Sequence, residues 1–93
     1  MDEREYHQRA DAAMNRIEQH LEAADADFEL AAGSVLQVEL EDGGKIIINK
    51  QAAAQEIWVA ARSGGFHYRW DGDAWRDTRS GEELLAALGR LIG

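Results

Sequence analysis

The chain has no cysteine. Disulfides, thiolate metal sites and a cysteine nucleophile are therefore excluded, and any metal must be held by oxygen or imidazole, a hard ligand set. Long apolar runs are also missing: nothing approaches the roughly 20 residues that span a bilayer, so no membrane partner is expected. The first residues form an acidic helical pattern rather than a basic leader followed by an apolar stretch, which makes a cytoplasmic location the expectation. No repeat, linker or low-complexity segment interrupts the 93 residues. Residues 1–93 are read as a single domain with one core, hiding roughly two-thirds of the unfolded surface.

Positive charge is scarce in the first part of the chain. Residues 1–42 hold 12 acids and 3 bases, a balance of −9, whereas residues 43–93 hold 6 acids and 7 bases, a balance of +1. A field of that sign repels phosphate backbones and attracts cations or basic protein surfaces. Nucleic acid is not an expected partner.

Between Asp2 and about Ala24 the apolar residues Tyr6, Ala10, Ala13, Met14, Ile17, Leu21 and Ala24 recur with the 3.6-residue period of a helix. From Phe28 the period drops to two. Leu36, Val38 and Leu40 alternate with Val35, Gln37 and Glu39, and Glu41-Asp42-Gly43-Gly44 supplies a turn before the strand Lys45 to Asn49. Further strands are expected at Ile57 to Ala61, Phe66 to Trp70 and Ala74 to Arg76. They are separated by Arg62-Ser63-Gly64-Gly65 and Asp71-Gly72-Asp73. Ser80 and Glu83 have capping-box spacing ahead of an apolar face of Leu84, Leu85, Leu88, Leu91 and Ile92. The pattern predicts an α+β fold: a two-layer sandwich whose antiparallel sheet of about five to six strands carries the N- and C-terminal helices on one face, leaving the other wet.

At 100° per residue, His7, Asp11, Glu18, Glu22 and Asp25 fall within an arc of roughly 60° beside the apolar stripe, with Arg9 and Arg16 on the other flank. Glu18 and Glu22 are like charges at i,i+4, a spacing that costs about 0.2–0.5 kcal/mol without a counter-ion. Asp27, Glu29, Glu39, Glu41 and Asp42 extend the acidic character onto the adjoining hairpin. By composition alone such a stripe is a solvated face that keeps a small acidic protein soluble. In the later strands, alternation sets Ile57, Val59 and Ala61 against Trp58, and Phe66, Tyr68 and Trp70 against His67 and Arg69. With the larger apolar set turned toward the helices, Trp75 points inward. Trp58 then faces solvent with Arg69 and Arg76 on its side, the composition of a binding hot spot.

Other chemistry finds little support. His7, His20 and His67 lack metal-motif spacing, and Asp71-Gly72-Asp73 is too short for a calcium loop. Ser34, Ser63 and Ser80 lie in turn or capping contexts, and Gly43-Gly44 lacks the strand-to-helix setting of a phosphate loop. There is no independent argument for an enzyme.

The stretch Gly43-Gly44-Lys45-Ile46-Ile47-Ile48-Asn49-Lys50-Gln51, the later Gln55-Glu56-Ile57-Trp58-Val59-Ala60 and the Gly64-Gly65-Phe66-His67-Tyr68 strand resemble the central sheet of the frataxins. The Trp nine residues after the Asn, the segment Asp77-Thr78-Arg79-Ser80-Gly81 and the Glu5-Tyr6-His7 context are similar to the bacterial branch of that family. The likeness runs from Glu5 to about Leu88. It implies an acidic ridge on the first helix and first strand that binds iron, as Fe2+ or Fe3+, weakly and at the surface, with other divalent cations able to substitute. The ridge would comprise Glu18, Glu22, Asp25, Asp27 and Glu29, with His7 accessory, beside Asp11 of the wheel. The resemblance further implies contact with a cysteine desulfurase and with the scaffold on which iron-sulfur clusters form, through Glu18, Glu22, Asn49, Gln51 and Trp58, next to Arg69. Ala53 and Glu56 stand where the family commonly has Pro and Gln. The turn thus loses a stiffening proline, and a negative charge enters a frequent contact point. Gly93 closes the chain without the extension that many relatives pack along the second helix. The expected function is iron binding that modulates cluster assembly, in a monomer, with oligomerisation on iron loading left open. The alternatives are a small acidic adaptor with incidental cation binding and a weak ferroxidase.

Overall fold

The computed structural model describes residues 1–31 and 35–92; Ser34 and Gly93 lie outside them. Helix α1, Glu3–Ala23, begins where Asp2 caps it, the carboxylate accepting the Glu5 N–H at 2.7 Å, and Glu3 and Glu5 occupy the first turn, where the helix dipole favours acids. Its buried face is Tyr6, Ala10, Met14, Ile17 and Leu21. The end of α1 corrects one expectation. Asp25 does not continue the acidic stripe of the helix but turns left-handed, at φ +56°, just past the capping residue Ala24. The Asp25 N–H donates to the Glu22 carbonyl at 3.1 Å and the Ala26 N–H to the Leu21 carbonyl at 2.9 Å. This is a Schellman ending with Asp in the place usually taken by Gly or Asn.

Six strands follow: β1 Asp27–Ala31, β2 Val35–Glu39, β3 Lys45–Gln51, β4 Glu56–Ala61, β5 Gly64–Trp70 and β6 Trp75–Asp77. They pair in sequence order, every pair antiparallel, as an open meander. Ala52–Ala54 forms a 3₁₀ turn between β3 and β4, closed by Gln55 at φ +54°. The alternation read from sequence holds on the inner face. Leu36, Val38, Ile46, Ile48, Ile57, Val59, Tyr68 and Trp75 are buried in one cluster with the α1 stripe and with Leu84, Ala87 and Leu88 of helix α2, Leu84–Ile92. Both helices therefore cover the same side of the sheet, and the α+β sandwich is as expected. Leu40 falls after β2, half-buried in the turn, and Leu30 of the edge strand shares the inward parity but remains 59% exposed.

Capping of α2 differs from the expected box. Glu83 forms a β-bridge with Arg76, so its backbone is still extended when the helix starts. Its carboxylate caps the helix itself, accepting from the N–H groups of Leu85 at 2.8 Å and Ala86 at 3.1 Å, while Ser80 Oγ accepts from Glu82. A single buried polar contact ties α1 to β4: the Tyr6 hydroxyl donates to the Glu56 backbone carbonyl at 2.8 Å.

Burial, with Asp77 and Glu82 nearby, raises the Tyr68 hydroxyl from 10.0 to about 12. The unfolded chain would ionise first, so the contribution of this group is intact below pH 10 and lost as pH climbs through 12. Urea melts should show stability falling by at most roughly 1.4 kcal/mol per pH unit from this residue across that window. Tyr68→Phe should flatten the decline; an unchanged slope would contradict it.

Candidate functional site

Two surfaces collect the residues singled out from sequence. On α1, Glu18 and Glu22 lie on the helix flank, half-buried and exposed respectively. Among the described residues neither forms an ion pair. The N-terminal half of the stripe is different. Lys50 of β3, whose side chain is only 12% exposed, reaches across to Asp11 at 2.5 Å and lies 3.4 Å from His7 Nδ1. His7 Nε2 stands 3.9 Å from Glu3 on the next turn. A cation of the protein's own thus occupies the His7–Asp11 segment, whereas the Glu18–Glu22 segment keeps its negative field. Asp27 and Glu29 belong to the edge strand with outward parity, sharing a sheet face with Glu39, so they sit round the β1 edge from the helix rather than along it. Among the described residues no three His, Asp or Glu side chains converge closely enough to hold one ion. Hard cations meeting such dispersed carboxylates would associate through field and mass action rather than fixed coordination.

The second surface is the helix-free face of the sheet. Register places Asn49 of β3 beside Trp58 of β4, Gln51 beside Glu56, Trp58 beside His67, and Glu56 beside Arg69. Parity puts all six side chains on the outer side, opposite Ile57 and Val59. Trp58 is half-buried because the His67 imidazole lies flat upon it, the centroids 4.4 Å apart and the planes at 9°. The indole N–H donates to Glu56 Oε1 at 2.8 Å, and Arg69 Nη2 donates to Glu56 Oε2 at 2.8 Å. Arg76, expected near Trp58, is turned to Asp71 at 2.8 Å and to the Gly81 carbonyl at 3.2 Å. The same Asp71 carboxylate accepts the N–H groups of Asp73 and Ala74, which with Arg76 hold it below the usual carboxylate range. Asp71-Gly72-Asp73 is therefore a turn, as read.

His67 and Lys50 were not foreseen as parts of these surfaces, and Glu56, expected to bring a negative charge to a contact point, was not foreseen as buried. For His67 the signal was available, since it shares parity with Arg69. A third concavity, a groove of about 640 Å³, lies between α1, α2 and the β5–β6 turn, lined by Arg9, Arg16, Trp70 and Trp75 among others. Its Arg9 guanidinium sits 4.6 Å over the Trp70 ring and pairs with Glu5 at 2.8 Å.

This geometry has close parallels. A family model described as "Frataxin-like domain" matches residues 1–93. The iron-sulfur cluster assembly protein CyaY of Dechloromonas aromatica is 55% identical over 93 residues, covering 98% of this chain and 89% of that protein. The CyaY of Cupriavidus pinatubonensis is 53% identical over 97 residues, covering 99% and 87%. Among solved structures, frataxin from Psychromonas ingrahamii superimposes with a TM-score of 0.88 at 37% identity, over 99% of this chain and 89% of that one.

Proposed function

Because the chain belongs to the frataxin-like family, we propose that it serves iron-sulfur cluster assembly as a weak iron binder that contacts a cysteine desulfurase and the cluster scaffold. The observation that carries this reading is the outer sheet face, where three adjacent strands bring Asn49, Gln51, Trp58 and Arg69 together on the side that neither helix covers. An aromatic anchor amid polar groups on a rigid strand platform is suited to recognising a protein surface. The acidic side complements it. Glu18 and Glu22, followed by Asp25, Asp27 and Glu29 around the sheet edge, supply a negative field that suits both iron, held as cargo, and a basic groove on the desulfurase.

Fe2+ should bind with dissociation constants on the order of 10 µM–1 mM, weaken as salt is added, and perturb the amides of α1 around Glu18 and Glu22 most. Glu18→Gln with Glu22→Gln should weaken binding severalfold. Metal-induced shifts centred on α2 would remove the acidic-stripe assignment. Desulfurase pull-down of the parent and the same double variant, each with and without Fe2+, separates the adaptor reading: an adaptor holds its partner equally well without iron, whereas an iron-dependent modulator acts on the desulfurase only when iron is present.

A further inference from the structure

Glu56 is the only charged residue among the described residues that the fold buries, at 5% exposure. It lies on the sheet face that is otherwise open. Sequence placed its negative charge at a contact point of the surface; the structure instead turns that charge sideways into a set of donors. Oε1 accepts the Trp58 indole N–H at 2.8 Å and lies 3.4 Å from His67 Nδ1, while Oε2 accepts from Arg69 at 2.8 Å. Its backbone carbonyl takes the Tyr6 hydroxyl, so the residue is anchored from below as well. A carboxylate is withdrawn from water at such a site only when its lone pairs are satisfied, and charge-assisted bonds of this kind fix the geometry of their donors.

The consequence falls on Trp58. Its N–H is already bonded, and one ring face is covered by His67 at 4.4 Å. What remains for a partner is the other ring face and its hydrocarbon edge, next to Asn49 on the neighbouring strand. Arg69 likewise joins the surface as half of an ion pair rather than as a free cation. We propose that Glu56 is a positioning residue of the docking face, holding Trp58 and Arg69 in the one arrangement that the cluster scaffold recognises. This rests on the scaffold-docking reading above. The carboxylate itself need not touch the partner: a Gln here keeps one acceptor for the indole N–H but turns its NH2 toward Arg69, so it should hold Trp58 and release Arg69.

The test reads the indole N–H resonance of Trp58 in free Glu56→Ala and Glu56→Gln, and the affinity of both, with Trp58→Ala as the reference, for the cognate scaffold protein. Glu56→Ala should broaden or split that resonance and weaken scaffold binding at least fivefold. Glu56→Gln should keep one sharp resonance and lose less scaffold affinity than Glu56→Ala, because only the Arg69 contact is given up. Should Glu56→Ala not fold, Glu56→Leu, of similar volume and without an acceptor, takes its place with the same expectation. Scaffold binding unchanged in Glu56→Ala but lost in Trp58→Ala would overturn the positioning role and leave the docking face standing. Binding unchanged in both would remove the docking face and the inference with it.

Discussion

Truncating Trp75 to alanine is expected to lower the unfolding free energy by about 3–5 kcal/mol, the range for emptying a large aromatic site in a core. The melting temperature should fall by more than about 12 °C in a domain of this size. Trp75 is 5% exposed and packs edge-on to both Tyr6, at 6.1 Å, and Trp70, at 5.8 Å. It is the point at which the short last strand grips α1. Removing it opens a cavity beneath the helix and leaves Tyr6, whose hydroxyl ties α1 to β4, without a wall. Trp58→Ala should cost only about 1–2 kcal/mol, because the indole is half-solvated and chiefly its bond to Glu56 is lost. Scaffold affinity should show the opposite ranking, with Trp58→Ala weakening it by roughly 2 kcal/mol or more, as for a buried aromatic anchor. Urea melts in which Trp58→Ala is the more damaging change would mean that the two faces of the sheet have been exchanged.

The contrast between these two tryptophans was legible from sequence because strand side chains alternate with period two, and the larger apolar set of each strand marks the face that the helices cover. The α1 stripe was equally plain, each of its five buried residues recurring at helical spacing. Register was less accessible. Taking Arg62-Ser63-Gly64-Gly65 as the whole connection would set Trp58 opposite Arg69, but β5 begins at Gly64, paired with Ala61, and the tighter turn brings His67 opposite Trp58 instead. Strand boundaries at glycines carry little hydrophobic signal, so a two-residue difference in the turn moves every cross-strand neighbour.

Contacts distant along the chain were out of reach for another reason. Lys50 meets Asp11 across 39 positions of sequence, and no periodicity encodes which strand lysine lies under which helix turn. The burial of Glu56 was not legible because a carboxylate is by default a solvent-facing group, and only the convergence of Trp58, His67 and Arg69 makes it tolerable. Asp25 left the helical wheel because its left-handed conformation ends the helix, a position where Gly is the usual signal and Asp a rarer one.

The second large effect is expected at the desulfurase. Reversing Glu18 and Glu22 to Lys changes the local charge by four units on the surface that carries the −9 balance of residues 1–42. Association steered by such a field is accelerated by about 10–10³-fold over an unsteered encounter. The double reversal should slow association by roughly tenfold or more at 0.1 M salt, with a smaller change in dissociation. At 1 M salt the Debye length falls from about 10 Å to about 3 Å, and the difference between variant and parent should largely vanish. Trp58→Ala should leave the salt slope unchanged, since an indole carries no net charge. An association rate indifferent to salt would exclude steering by the acidic stripe.

Shift mapping on the isotope-labelled protein, titrated separately with the cognate scaffold and the cysteine desulfurase, tests the two-surface reading most directly. The scaffold should perturb the side-chain amides of Asn49 and Gln51 and the indole N–H of Trp58, while the desulfurase should perturb the backbone from Glu18 to Glu29 within the described residues. Perturbations from both proteins centred instead on the groove between the helices, around Arg9, Arg16 and Trp70, would contradict it.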